Sequence, residues 1–163
     1  MSLTGTALAG PAGAVPVHHV VKAVAFRGTY KGNADLLIDN GSVSIRSIAG
    51  TGSNSLLGVG RVAGKGSASA SAQCDPFTGT GNITGAHGTL HLVVTQSKST
   101  GCSSGESGPI TVKFHGTAVV KGGTGKAKGA KGTLAFSGKL GLGGTSGAQA
   151  GPYTVTITGH LSL

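Results

Sequence analysis

Acidic residues are scarce in this sequence. Its 163 residues contain four Asp and Glu side chains against 13 Lys and Arg, which gives a formal net charge of +9. So few carboxylates argue against a glycosidase, since that chemistry needs a positioned pair of them. The excess of cations predicts solubility and attraction to polyanions such as nucleic acid, anionic lipid headgroups and acidic wall polymers.

Aromatic residues are also few: the chain has no Trp, two Tyr and four Phe, and Arg occurs at positions 27, 46 and 61 only. Proteins that bind RNA or single strands on a sheet usually display aromatic or Arg stacking platforms. Their scarcity makes nucleic acid an unlikely partner in spite of the charge. A core built from Val, Ile, Leu and Ala favours narrow spaces filled by small side chains.

A glycine-free amphipathic stretch of helical length is missing as well. Glycine accounts for 32 residues, and it costs roughly 1 kcal/mol relative to Ala inside a helix. The glycines follow no strict third-residue period, which excludes collagen. Apolar runs such as ITVKFHGTAVV and YTVTITGHLSL recur between the glycine clusters, which argues against disorder. The composition therefore predicts an all-β protein.

Several chemical motifs are absent. The segment Gly123-Thr124-Gly125-Lys126 lacks the Ser or Thr that follows the lysine of a phosphate-binding loop, and the GxGxxG and CxxC patterns do not occur. No apolar run reaches the length of a membrane span. We therefore predict no cofactor, no metal and no membrane-spanning segment.

The N-terminal residues have the composition of a cleaved leader. Ala12-Gly13-Ala14 and Ala7-Leu8-Ala9 both match a signal-peptide cleavage site, although a basic n-region and a full apolar h-region are missing. We expect residues 1–16 to be a truncated leader or a flexible arm. A single domain at 17–163 would then be secreted or displayed on a bacterial cell surface, the alternative being a cytosolic protein with a loose N-terminus.

The two cysteines, Cys74 and Cys102, lie in polar stretches that we interpret as loops. Two exposed loop cysteines in a secreted β domain most simply form one disulfide. The loop closed by this bond would span about 28 residues, which corresponds to roughly 3–4 kcal/mol in the chain-entropy model.

A twelve-residue pattern occurs twice, as GNITGAHGTLHL from Gly81 and as GKAKGAKGTLAF from Gly125. Two copies cannot close a propeller, and no third copy is visible. We interpret each copy as a tight glycine turn or strand bend that leads into a strand. The predicted fold is a single antiparallel β-barrel of about eight strands, closed so that no edge is left open. The glycines assigned to these turns or bends are Gly81, Gly85, Gly88, Gly125, Gly129 and Gly132.

Individual strands follow from alternation of apolar and polar residues. A first strand is predicted over Val17–Tyr30 and a second near Ala34–Asp39, followed by a type I′ hairpin at Asn40-Gly41. Ile48 breaks the parity of the next strand, which indicates a bulge. Residues 49–72 hold a possible strand at each end with a turn around 57–60. The last strand should point Tyr153, Val155 and Ile157 inward and Thr154, Thr156 and Thr158 outward.

Two sets of side chains are candidates for binding. Four lysines, Lys121, Lys126, Lys128 and Lys131, form the candidate contact for a polyanion, or else a solvated loop that guards against edge aggregation. The histidines show no metal-site spacing: His87 and His91 would share a strand face, His18 and His19 would point apart, and His115 and His160 each lie near the end of an apolar alternation. We interpret them as exposed histidines.

One segment resembles a known family. VVKGGTGKAKGAKGTLAFSG, Val119 to Gly138, is similar to the G-G-T-G-x-x-x-G-A-x-G segment of dirigent and allene oxide cyclase-like β-barrels, and FRGTYKG (Phe26–Gly32) resembles small secreted bacterial proteins of that kind. The resemblance implies an eight-stranded antiparallel barrel, often oligomeric, that needs no cofactor when it is an enzyme. The acidic cavity groups of those enzymes find no counterpart in Asp35, Asp39, Asp75 or Glu106, which we place at strand ends or in loops.

Two hypotheses for function result. The first is a secreted, non-catalytic binding or structural module whose partner is an anionic polymer, a glycan or another protein. The second is a cofactor-free cyclase or isomerase that acts on an apolar small molecule inside the barrel. A cavity of a few hundred cubic ångströms would favour an enzyme or a small-ligand carrier, whereas an interior plugged by Phe114, Phe136 and aliphatic residues would favour a structural or surface-binding role.

Overall fold

The computed structural model describes residues 21–105 and 108–163 and shows an all-β protein, as predicted. Its strands are β1 (Ala23–Asp39), β2 (Ser42–Asn54), β3 (Gly58–Ser69), β4 (Cys74–Gly85), β5 (Gly88–Val94), β6 (Thr100–Ser104), β7 (Ile110–Gly125), β8 (Lys131–Leu142) and β9 (Gly147–Ser162). A short 3₁₀ turn, Gln96–Lys98, separates β5 from β6. The predicted leader at residues 1–16 and the predicted start of the first strand at Val17 lie outside the described residues.

Neighbouring strands pair antiparallel around a closed barrel, and β9 returns to pair with β1. Residues 79–85 of β4 pair with β5, and residues 74–76 of β4 pair with β6. On the other side, residues 118–125 of β7 pair with β5, and residues 111–115 of β7 pair with β6. Strands β5 and β6 therefore act as one interrupted strand, which makes a barrel of eight positions with one additional short strand. Closure leaves no long edge to template aggregation.

Most local sequence signals correspond to the structure. The hairpin between β1 and β2 is confirmed, because Asn40 and Gly41 have φ values of 47° and 77°, as a type I′ turn requires. The register of β2 against β3 shifts between Ile45 and Ile48, which confirms the predicted bulge. The inward positions of Tyr153, Val155 and Ile157 are confirmed by their burial.

Two predictions about strand limits were wrong. The two separate strands predicted before the hairpin are one strand, β1, because residues 31–33 keep their ladder pairing to both β2 and β9 in spite of Gly32. The turn predicted at 57–60 lies at residues 55–57, since the side-chain oxygen of Asn54 accepts hydrogen bonds from the backbone N–H groups of Leu56 (2.9 Å) and Leu57 (2.7 Å). This Asx-type turn is a local backbone choice that alternation of residues does not reveal.

The two ends of the barrel differ. At one end, which we call the closed end, lie the β2–β3, β4–β5 and β7–β8 connections, and Leu57, Ala127 and Ala130 from these turns are at most 1% exposed. They cap a dense interior that includes Phe26, Tyr30 and Leu134. The opposite end, the open end, carries the β1–β2, β3–β4 and β8–β9 connections. The large apolar side chains that are at most 2% exposed therefore lie in the half of the barrel nearest the closed end.

The repeated sequence pattern builds the closed end twice. The third residue of each copy (Ile83, Ala127) and the tenth (Leu90, Leu134) are fully buried. Gly88 and Gly132, the eighth residue of each copy, have φ values of 137° and 140°, which only glycine adopts readily. The repeat thus encodes a turn followed by a buried leucine.

The other repeat glycines are not equivalent. Gly85 is the last residue of β4 before a two-residue turn, whereas Gly129 lies within a longer turn with a φ of 74°. Gly125 ends β7, but Gly81 lies well inside β4, where it pairs with Gly64 rather than forming a turn. The same twelve-residue pattern therefore produces two hairpins whose turns differ in length.

Candidate functional site

A cavity of about 420 Å³ occupies the half of the barrel interior nearest the open end. Its wall is formed mainly by apolar side chains of the strands, and residues of the β3–β4 and β8–β9 connections line it at the open end, among them Ala70, Gln73 and Thr145. The volume lies in the range of sites that bind small molecules.

Paired glycines explain why this half of the barrel is not filled. On the inner wall of β3 and β4, Gly64 lies opposite Gly81 and Gly66 lies opposite Gly79. A Cβ added at Gly64 would lie 2.8 Å from the backbone oxygen of Thr80, and one at Gly66 would collide with the backbone oxygen of Thr78. The two strands therefore approach too closely for side chains at these positions, and the space inside them becomes the cavity.

Three phenylalanines form an aromatic cluster on the cavity wall. The ring centroids of Phe77, Phe114 and Phe136 lie 5.9 to 6.4 Å apart, and Phe77 meets Phe114 edge to face. They come from β4, β7 and β8, and all three line the cavity. Such tilted and edge-on contacts are the favoured geometry of aromatic pairs. The rings line the cavity without plugging it.

Two polar side chains with defined surroundings lie on this wall. The Asp75 carboxylate, near the open end, accepts hydrogen bonds from the Ser71 hydroxyl and the Ala72 backbone N–H, both at 3.1 Å. Tyr153 is 5% exposed, and its hydroxyl has no hydrogen-bond partner among the described residues. Desolvation by burial raises the pKa of Tyr153 to about 12, so its hydroxyl keeps its proton at neutral pH.

The disulfide predicted between Cys74 and Cys102 is confirmed. The cysteines do not lie in loops, however, but face each other as a ladder pair of β4 and β6. The bond therefore joins the short strand β6 to the barrel beside the cavity, where Ser103 of β6 is part of the lining. The polar neighbours of the cysteines in sequence reflect the exposed rim of the barrel and not irregular structure.

The predicted polyanion contact lies around the β7–β8 connection. Lys126 and Lys128 are in the turn, Lys131 begins β8, and Lys121 lies near the end of β7; all four are exposed. Lys121 also borders a groove on the outer wall, together with Arg46, Lys65 and His91. These residues come from four different strands, so a local sequence pattern does not associate them.

The structure assembles a second cationic feature that sequence reasoning missed. One row of the ladder runs Arg61, Thr51, Lys31, Thr154, Lys139, Lys113 across β3, β2, β1, β9, β8 and β7. All six side chains are exposed, and we call this row the basic belt. Lys113 and Lys139 are direct cross-strand partners, an arrangement that destabilises a sheet unless an anion lies nearby.

The remaining sequence candidates do not converge. His91 contacts the Asn82 side chain at 2.6 Å on the outer face. His87 lies in a turn, so the prediction that His87 and His91 share a strand face was wrong. His115 and His160 are exposed on β7 and β9, as predicted, while His18, His19 and Glu106 lie outside the described residues. Asp39, the last residue of β1, and Asp75, the second residue of β4, lie at strand ends as predicted, whereas Asp35 lies inside β1. In residues 21–105 and 108–163, no group of three His, Cys, Asp or Glu side chains could hold a metal ion.

The part of the chain that the structure describes contains no helix that is long and apolar enough to cross a membrane.

Comparison with known proteins identifies no relative. No protein-family model, no curated protein and no solved structure matches this chain.

Proposed function

We propose that this protein is a non-catalytic binding module that holds a small apolar molecule inside the barrel. The observation that carries the proposal is the cavity of about 420 Å³, which has an almost wholly apolar wall and lies next to the open end. Ligand sites are typically concave, mostly apolar and supplied with a few placed polar groups. Burial of the ligand's hydrocarbon surface would drive binding.

The polar groups of the cavity support binding rather than catalysis. Tyr153, whose pKa lies near 12, is protonated at neutral pH and is a poor general base. Asp75 is engaged by Ser71 and Ala72 near the open end. The resemblance to dirigent and allene oxide cyclase-like barrels, and with it a cyclase or isomerase activity, stays a prediction. The disulfide fits an oxidising compartment, so secretion remains part of the proposal.

Filling the cavity tests the proposal. Ala68 lines the cavity from β3, and Ser67, its neighbour on the same strand, is exposed on the outer face. We expect Ala68→Phe to weaken binding of N-phenyl-1-naphthylamine by about tenfold or more, equivalent to roughly 1.4 kcal/mol. The matched control Ser67→Phe should change affinity by less than about twofold, because its ring points away from the cavity. Titration of probe fluorescence gives the affinities.

Equal binding of this probe by both variants would show that it binds elsewhere and would contradict the proposal. Absence of binding to the unmodified protein would do the same. Far-UV circular dichroism of each variant verifies that the barrel has folded.

A second candidate function is favoured by the basic belt. We infer that the outer wall binds an anionic polymer through Lys113, Lys139 and the other cationic side chains of the basic belt. A polyanion would relieve the repulsion between the two paired lysines and would find exposed Thr hydroxyls between the charges. This surface differs from the four-lysine cluster predicted from the sequence.

Two double variants with equal charge loss separate these surfaces. We expect Lys113→Gln with Lys139→Gln to weaken binding of a heparin fragment and to reduce the slope of log affinity against log salt by about 1 to 2. Lys126→Gln with Lys128→Gln should change both quantities much less. The opposite ranking would assign binding to the β7–β8 turn, and identical losses would indicate attraction to net charge alone.

A further inference from the structure

The most buried polar side chain of the cavity wall is that of Tyr153. Among the polar side chains that line the cavity in the described ranges, Tyr153 alone is more than nine-tenths buried. Its hydroxyl oxygen is shielded from bulk solvent and from the cavity by its contact with the wall, and it has no hydrogen-bond partner there. A buried hydroxyl without a partner carries a desolvation penalty, so it calls for an explanation such as a contact with a ligand.

The position of the ring shows how the hydroxyl reaches its place. Tyr153 pairs with Gly32 of β1, and Gly32 in turn pairs with Gly50 of β2. The ring extends from β9 past this strip of glycines until its hydroxyl oxygen touches Gly50, where an added Cβ would collide with it. Gly50 pairs with Val62, another residue of the cavity wall. The hydroxyl is thus brought to an otherwise apolar section of the lining.

Tyr30 provides an internal comparison. It is 1% exposed and lies on the same inner wall, but its hydroxyl oxygen accepts a hydrogen bond of 2.7 Å from the Asn54 side chain. Tyr30 belongs to the dense core at the closed end and does not line the cavity. The fold therefore supplies a hydrogen-bond partner to Tyr30, which lies away from the cavity. Among the described residues it supplies none to Tyr153, which lies beside the cavity.

We propose that the ligand of the cavity is an uncharged, mostly hydrocarbon molecule with one hydrogen-bond acceptor, a carbonyl or ether oxygen, that accepts a hydrogen bond from the Tyr153 hydroxyl when the ring turns from Gly50 toward the cavity. This inference rests on the proposed ligand-binding function. A ligand hydroxyl or amide would bring a donor that needs a partner of its own, and the backbone groups of this wall are already paired in the ladder. A charged group would have to be desolvated in an apolar wall at high cost.

The test compares two probes of nearly the same shape, 2-acetylnaphthalene and 2-isopropenylnaphthalene, which differ in having a carbonyl oxygen or a methylene group. Dissociation constants are measured by equilibrium dialysis for the unmodified protein, Tyr153→Phe and Tyr30→Phe. We expect Tyr153→Phe to weaken binding of the ketone by roughly threefold to tenfold, as for a neutral hydrogen bond, and to leave the alkene within about twofold. Tyr30→Phe should not alter the ratio of the two affinities.

Infrared spectroscopy supplies a readout that a merely structural role would not move. The carbonyl stretch of the bound ketone should lie at lower wavenumber in the unmodified protein than in Tyr153→Phe. Equal changes for both probes, or an unshifted carbonyl band, would overturn the inference while leaving apolar binding intact. Failure of both probes to bind the unmodified protein would instead overturn the proposed function, and this inference with it. Alkene binding by Tyr153→Phe shows that the variant keeps its cavity.

Discussion

At the scale of single residues, the two tyrosines of the chain show how similar environments can have opposite energetic consequences. Burial raises the pKa of both, and for Tyr30 the hydrogen bond to Asn54 partly offsets the effect of desolvation. The Tyr30 hydroxyl is also linked, through Asn54, to the turn that places Leu57 in the core. Tyr153 has no such link to any residue that the structure describes, so its hydroxyl costs stability that only a ligand can return.

We therefore expect opposite effects on stability when each hydroxyl is removed from the ligand-free protein. Tyr153→Phe should raise the free energy of unfolding by about 1 kcal/mol, because a buried unpaired hydroxyl is removed. Tyr30→Phe should lower it by about 1 kcal/mol, because the Asn54 amide loses its acceptor. Urea unfolding followed by circular dichroism measures both. A loss of stability in Tyr153→Phe would show that its hydroxyl has a protein partner.

At the scale of elements, the pairing of β3 with β4 determines where the barrel is empty. Gly66 and Ala68 are successive inward positions of β3, yet their surroundings differ. A Cβ on Gly66 would collide with the backbone of β4, whereas Ala68 borders the cavity. The paired glycines of these strands, Gly64 with Gly81 and Gly66 with Gly79, act through close backbone approach and not through turn formation.

Small substitutions at Gly66 and Ala68 should distinguish a position limited by close backbone approach from one that borders open space. We expect Gly66→Ala to lower the free energy of unfolding by roughly 1–3 kcal/mol, since the strands must move apart to admit one methyl group. Ala68→Val adds more atoms but places them in open space, so stability should change by less than about 0.5 kcal/mol or increase. Thermal and urea unfolding provide the values. If Gly66→Ala were neutral, close approach of β3 and β4 would not be what keeps this wall bare.

At the scale of the whole molecule, the excess of positive charge is spread over the outer wall and the closed end. The basic belt and the four lysines around the β7–β8 turn place like charges on one continuous surface. Self-repulsion of this kind opposes the compact state and is screened by salt. The interior, in contrast, is apolar, so the cationic side chains and the cavity wall belong to separate surfaces.

Screening should therefore stabilise the protein. Between about 10 and 200 mM NaCl we expect the free energy of unfolding to rise by roughly 0.5 kcal/mol, because the Debye length falls from about 30 Å to less than about 8 Å and repulsion between the exposed cations weakens. The double variant Lys113→Gln with Lys139→Gln should be more stable at low salt and less sensitive to salt. A salt-independent free energy of unfolding would show that repulsion between the paired lysines is negligible.

The sequence by itself determined the all-β class, the closed antiparallel barrel, the disulfide, the hairpin at Asn40-Gly41 and the bulge before Ile48. These features depend on alternation, on positive φ values and on cysteine count, which are local or compositional quantities. The residue-level pattern also assigned Tyr153 correctly to the inner face.

Only the tertiary structure decided that one half of the barrel is filled and the other contains a cavity. Gly64 meets Gly81, Tyr153 reaches Gly50, and Lys113 meets Lys139 because of strand register, which joins residues far apart in the chain. The partner of a hydroxyl and the space behind a glycine pair are properties of these long-range contacts. They could not be predicted from the local pattern, since each strand specifies its own inward face but not what lies opposite it.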